Sequence, residues 1–377
     1  MKKISAGIVT VLALSIICYA AFNATAAQAP ATSKPAYAAT VYVAGMGGHF
    51  AQADIAIDPS NPEGPITVAG LDRVVIGTKA THPTHDARID NKNKSVMFWS
   101  TYVLDPEGKM HVGKSDLTTG NVIKDVAMTP DPKAPGKKPP LYCASGQSKK
   151  FFMPVFMGTE GFVDIIDKNT LKLKKRVYIS DLGYKPGTYK FTHGVNSPDM
   201  KKFVLAINQA AEGKGNGKVD VILVDLPSLE KGKWKVLARN TLSGEPDKTL
   251  TFRQTFSSDG KYLFQSAADR LWVLDGSSLK LIDEKMTPID GSQIHDAIPT
   301  PDAKFAVLTV RSVTNACDID GNPLEGKDIT DGVLMLYDAQ NKQIINKTAS
   351  VCLACHKGMG LGDKSAVLCG IDANWKK

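Results

Sequence analysis

From about residue 40 onwards, short apolar runs are separated by turn-forming residues, and the same strand-turn-strand phrase returns along the chain. Its copies are His111 to Asp125 (HVGKSDLTTGNVIKD), Phe162 to Lys174 (FVDIIDKNTLKLK), Val219 to Val236 (VDVILVDLPSLEKGKWKV), Leu271 to Asp283 (LWVLDGSSLKLID) and Val333 to Ile345 (VLMLYDAQNKQII). In most, an apolar run leads to an aspartate, namely Asp116, Asp167, Asp225, Asp275 and Asp338, the first copy being the most polar, and a turn of Ser, Thr, Asn, Gly or Pro follows. An aspartate suits this place because its carboxylate accepts hydrogen bonds from backbone N–H groups two residues on. A weaker sixth copy runs from Ala53 through Asp58 to Val75.

A second repeat precedes the first. In THDARIDNKNKSVMFW, THGVNSPDMKKFVLAIN and IHDAIPTPDAKFAVLTV a histidine is followed nine residues later by a lysine that opens an apolar strand: His85 and Lys94, His193 and Lys202, His295 and Lys304. The stretches from Leu141 and Phe252 keep the turn and strand without the histidine. Together the two repeats make four strands per unit at intervals of about 40 to 60 residues, the signature of a β-propeller.

The expected fold is therefore all-β, a single propeller of four-stranded blades. The turns Ser197-Pro198-Asp199, Ser258-Asp259-Gly260-Lys261 and Thr300-Pro301-Asp302 resemble those of YVTN-type propellers. Five clear blades with material at both ends fit six or seven, and seven is preferred because that resemblance makes it the commoner closure. Closure is expected to pair Thr40-Val41-Tyr42-Val43 with strands from Ala366 to Ile371, which removes unpaired edges.

At the N-terminus Lys2-Lys3, an apolar run from Ile8 to about Ala21 and Ala24-Thr25-Ala26 read as an export signal over residues 1–26. A flexible segment, 27–39, and the propeller, 40–377, follow. The apolar run is shorter than the ~20 residues that span a bilayer, and no later stretch is long enough, so no membrane span is expected. Ile17 before Cys18 does not suit a lipoprotein cleavage site. A net charge of +8 with scattered lysines, in an exported protein, excludes a nucleic-acid footprint.

The chemistry lies near the C-terminus. Cys352-Leu353-Ala354-Cys355-His356 is the C-x-x-C-H signature of covalent haem c: two thiols for the two vinyl groups and an imidazole for the iron. A disulfide at this spacing is the plain alternative. Only 21 residues follow His356, too few for a cytochrome c domain, so a haem here sits on another fold. Cys143, Cys317 and Cys369 complete an odd number of thiols in the mature chain, their pairing open.

In a propeller the first strand of each blade lines the central channel, so His85, His193 and His295 are expected at one funnel, as candidate second ligands to a metal or to the haem of His356. The alternative is that they serve packing, with Asp86 and Asp296 satisfying their ring N–H groups. Asp318-Ile319-Asp320-Gly321-Asn322 begins like a calcium loop, but Ile329 stands where a bidentate Glu is needed, which favours a surface turn. Thr129 to Pro140 reads as a long inter-blade loop, and Gly213 to Gly217 as a hairpin tip. No nucleophile elbow, P-loop or dinucleotide fingerprint is present, which leaves redox and binding readings.

In size, export signal and whole-chain blade arrangement, the sequence resembles the propeller (β) subunits of hydrazine synthases. That resemblance implies a hetero-oligomeric, exported oxidoreductase complex in an anammoxosome or similar periplasm-like compartment. It acts on small nitrogen compounds, nitric oxide and ammonium, with the chemistry chiefly on haem-bearing partner subunits and this chain mainly structural. Two alternatives stay open: a self-contained periplasmic haem c or haem d1-like propeller, and a metal-free interaction module.

Overall fold

A computed structural model describes residues 35–45, 47–134, 142–317, 323–351 and 369–376; side chains at 144 and 312–332 are not described. Among the described residues, twenty-four strands form six four-stranded antiparallel sheets, each one blade. Blade 1 holds β1 (Tyr37–Gly45), β2 (His49–Ile57), β3 (Ile66–Val75) and the C-terminal β24 (Ile371–Trp375). Blade 2 is β4 (Arg88–Ile89), β5 (Val96–Ser100), β6 (Met110–Asp116) and β7 (Val122–Met128). Blade 3 is β8 (Tyr142–Gln147), β9 (Phe151–Phe156), β10 (Phe162–Asp167) and β11 (Leu173–Tyr178). Blade 4 is β12 (Tyr189–Asn196), β13 (Lys202–Ala211), β14 (Lys214–Asp225) and β15 (Val236–Ser243). Blade 5 is β16 (Gln254–Phe256), β17 (Tyr262–Ser266), β18 (Arg270–Asp275) and β19 (Leu281–Met286). Blade 6 is β20 (Gln293–Pro299), β21 (Phe305–Cys317), β22 (Pro323–Asp338) and β23 (Gln343–Ser350).

The middle strands are buried on both faces, which is why they read as nearly continuous apolar runs. Along β10, Val163 and Ile165 pack towards blade 4, while Phe162 and Ile166 pack towards blade 2. Six apolar clusters fill the six gaps between neighbouring sheets, including the gap between blades 6 and 1, where Ile298, Val307 and Leu336 meet Val41, Ala53 and Ile371. The ring is thus closed by packing as well as by pairing. Outer strands such as β7 are largely exposed, and they leave apolar side chains such as Val122 and Ile123 at the surface.

The turn chemistry is as the repeats require. Asp58, Asp116, Asp167, Asp225, Asp275 and Asp338 each accept a backbone N–H two or three residues on, as in Thr118 N to Asp116 Oδ1 at 2.7 Å and Ser278 N to Asp275 Oδ1 at 2.7 Å. In the first turn of blades 4, 5 and 6, Ser197, Ser257 and Thr300 donate to Asp199, Asp259 and Asp302, and the next residue, Met200, Gly260 or Ala303, is left-handed. Glycine fits that position without strain; Met200 and Ala303 adopt it at some cost.

The expectation of seven blades is wrong: there are six. The material at the two ends does not make an extra blade, because β24 joins β1 to β3 in a single sheet, with Ala39 opposite Trp375 and Val43 opposite Ile371. Further length goes into the β21–β22 hairpin, whose strands run to 13 and 16 residues, adding residues without adding a sheet. No helix among the described residues is long and apolar enough to cross a membrane.

Candidate functional site at the propeller axis

The inner strands β4, β8, β12, β16, β20 and β24 face the axis, and the residues at their starts converge there. His85 lies just before β4, His193 is in β12 and His295 in β20; all three side chains are buried. The His85 and His295 rings stand edge to face, centroids 6.3 Å apart. Phe252, just before β16, stacks on His295 at 3.9 Å and meets His193 edge-on at 6.3 Å, while Tyr102 stacks on His85 at 3.7 Å. The three histidines therefore form one imidazole and aromatic cluster drawn from blades 2, 4 and 6.

Their hydrogen bonding is incomplete. His85 Nε2 and both ring nitrogens of His193 and His295 are buried without a well-formed hydrogen-bond partner. His85 Nδ1 lies 3.6 Å from the sulfur of Cys143. Burial, reinforced by the nearby Arg311 and Arg253 guanidiniums, holds His85 and His295 well below the usual imidazole range. Burial and Arg253 bring His193 down to about 3, against the opposing pull of the Phe191 carbonyl. All three are neutral at pH 7, the form that ligates transition metals.

Asp86 and Asp296, read from the sequence as partners of the adjacent histidines, hold something else. They clamp Arg253, which is fully buried: Nε donates to Asp296 Oδ2 at 2.8 Å and Nη1 to Asp86 Oδ1 at 2.9 Å. Nη1 also reaches the carbonyls of His85 and Cys143. Gly370 lies against this guanidinium so closely that a Cβ there would stand 2.4 Å from Cζ. Arg253 carries no repeat signature, and a lone arginine before a short strand gives no sign in sequence of lying on the axis.

Cys143 and Cys369 are free, buried thiols at the same place. Burial pushes the Cys143 thiol up to about 12 and the Cys369 thiol well above its ordinary value, so neither is a thiolate nucleophile. Cys352, Cys355 and His356 lie outside the described residues, as do Asp318 to Asn322 and the second half of the Thr129 to Pro140 loop. The ends of the segment that holds the C-x-x-C-H motif are described. Val351 is buried in the core between blades 6 and 1, and Cys369 donates its N–H to the Ala44 carbonyl and accepts from Thr309 Oγ1. Gly370 N then donates to the His85 carbonyl. The segment thus rejoins the fold against the backbone of the first axial histidine.

No protein-family model matches the chain, and neither does any curated protein sequence. Among solved structures, the chain is similar to Kuenenia stuttgartiensis hydrazine synthase, at 14% identity and a TM-score of 0.44 over 70% of this chain and 68% of that one. It is also similar to a chain of a nidogen/laminin complex, at 10% identity and a TM-score of 0.54 over 89% and 98%. The periplasmic gluconolactonase PpgL of Pseudomonas aeruginosa matches at 12% identity and a TM-score of 0.52 over 90% and 99%. At these identities the likeness is one of fold alone.

Proposed function

We propose that the chain is the propeller subunit of an exported multi-haem oxidoreductase complex. In this reading Cys352 and Cys355 bond a haem covalently, His356 ligates its iron, and one of His85, His193 or His295 serves as a second ligand. The observation that carries it is the set of unpartnered, neutral imidazole nitrogens at the axis, beside the point where the C-x-x-C-H segment rejoins the fold. A buried polar atom without a partner costs about 1–3 kcal/mol, and iron coordination would offset that cost. The donor set fits: with His85 Nδ1–H donating to the Cys143 sulfur, Nε2 presents its lone pair, as outer-shell partners arrange for metal-bound histidines.

The haem, when bound, supplies one-electron transfer. The chain's own residues hold the imidazoles neutral through burial and Arg253, fix the His295 ring by stacking on Phe252, and exclude water from the axis. A setting like that of hydrazine synthase, with small nitrogen compounds converted chiefly on partner haems, belongs to the same proposal and draws its support from the sequence resemblance.

Mass spectrometry of the mature chain, made with cytochrome c maturation machinery, should show one added haem that is absent in Cys352→Ala/Cys355→Ala. Replacement of the ligating axial histidine by alanine should change the haem's visible spectrum. Purification from the native source should bring haem subunits with it. An unmodified mass, with an active monomer from the native source, would overturn the proposal.

A further inference from the structure

Away from the axis, two histidines outside the nine-residue histidine-to-lysine repeat come together on blade 2. His82 sits in the connection from β3 to β4, His111 near the start of β6, and Asp125 on β7. Gly113 is opposite Asp125 and His111 opposite Ala127, so the His111 and Asp125 side chains meet diagonally across one face of the β6–β7 pair. His82 is carried over the same face, edge-on to Trp99 at 5.5 Å and 4.4 Å from the His111 ring. Two glycines make the space. A Cβ at Gly77 would lie 2.2 Å from His82 Nδ1, and one at Gly113 would lie 2.1 Å from the Trp99 ring.

We propose that His82, His111 and Asp125 form a binding site for one divalent transition-metal ion of the zinc or copper class. One ligand atom from each lies within 4.8 Å of the others. His82 Nε2 is 3.0 Å from Asp125 Oδ2, and His111 Nδ1 is 3.0 Å from the same carboxylate. Tetrahedral ligands about 2.0–2.1 Å from zinc stand ~3.3 Å apart, so little movement is needed.

The outer partners are those that metal-bound histidines use. His111 Nε2 faces Asp105 Oδ2 at 3.1 Å, and Asp105 is held by backbone N–H groups of Glu107 and Lys109 on its other oxygen. His82 Nδ1 bonds Thr81 Oγ1 at 2.8 Å. Each ring is thereby oriented through the nitrogen that does not face the shared carboxylate. Both histidines are buried while Asp125 is exposed, which leaves a solvent-facing position for a water as fourth ligand. Two imidazoles and one carboxylate suit zinc or copper better than magnesium or calcium, which take oxygen ligands.

The test is zinc titration of the full mature chain after chelator treatment, with bound metal counted separately from haem iron and X-ray absorption at the zinc edge. One equivalent is expected, with two imidazoles and one carboxylate in the first shell. His82→Gln/His111→Gln should bind none at this site. Asp105→Asn, which removes no ligand, should weaken zinc by roughly 10–100-fold. Asp259→Asn, in an exposed turn of blade 5, should bind as the unaltered chain does. Zinc that persists in the double variant with unchanged affinity, or a first shell without two imidazoles, would overturn the assignment. So would an unaltered chain that takes up no zinc at micromolar concentration.

Discussion

Replacing Arg253 by Met should be among the most damaging single changes in this protein. The guanidinium has no exposed surface, and neither do the carboxylates of Asp86 and Asp296 that it bridges at 2.9 and 2.8 Å. Methionine fills much of the volume but leaves both carboxylates buried without their cation, and breaking a buried pair in this way costs about 3–5 kcal/mol. Backbone donors soften the loss on one side, since Ile371 and Ala297 N–H groups also reach Asp296. Among the described residues, Asp86 retains Ser100 Oγ at 3.2 Å. With an unfolding entropy near 2.1 cal/mol/K per residue over about 340 residues, each kcal/mol moves Tm by roughly 1.4 °C, so the drop should be ~4–7 °C. Thermal and urea melts of the haem-free Cys352→Ala/Cys355→Ala chain would measure it. The decisive comparison is Arg253→Met/Asp86→Asn/Asp296→Asn, which removes the uncompensated charge and should regain part of the loss. A single variant within 1 kcal/mol of the parent, or a triple variant less stable than the single, would refute the reasoning.

Acid should destabilise the haem-free chain as pH falls below the ordinary imidazole range. A histidine whose folded pKa is depressed contributes stability that is complete above the unfolded value near 6.5 and is lost as pH falls towards the folded one. For His193, held at about 3, the loss at pH 5 is about 2 kcal/mol, and His85 and His295 add losses of the same sign. Urea midpoints between pH 7.5 and 5 should show it, with a shallower slope in His193→Gln; a flat profile would contradict burial of neutral imidazoles. Gly113→Ala should cost about 1–3 kcal/mol in the same melts, because Trp99 occupies the space a Cβ needs, and an unchanged midpoint would mean that the indole gives way freely.

What could be read ahead of the structure was whatever repeats. Aspartates that open the third turn and the nine-residue step from histidine to lysine are local devices, so they located strands, turns and the inward-facing His85, His193 and His295. Blade number is not local. It depends on whether the strand near Trp375 pairs with the one at Tyr37 or begins a sheet of its own, and the apolar patterning of the two ends serves either outcome. Arg253 is not legible in the sequence for a similar reason: its partners Asp86, Cys143 and Asp296 are brought together only by the ring. His82, His111 and Asp125 lie within one blade and its entry loop, yet their meeting depends on Gly77 and Gly113, whose role is visible only as space.

The pairing of Thr40 with Asn374 joins residues roughly 330 positions apart, whereas the other strand neighbours in these sheets are linked by hairpins. Each doubling of a closed loop adds about 0.6 kcal/mol of entropy, so this seam costs ~2–3 kcal/mol more to form than a hairpin of some 15 residues. Blade 1 is therefore the place where the protein should open first and close last. A circular permutant that links Trp375 to Tyr37 through a short turn and places its new ends between blades 3 and 4 would carry the seam to a different part of the ring. Protection of blade 1 amides from hydrogen exchange should rise in that permutant, and the weak point should follow the new ends.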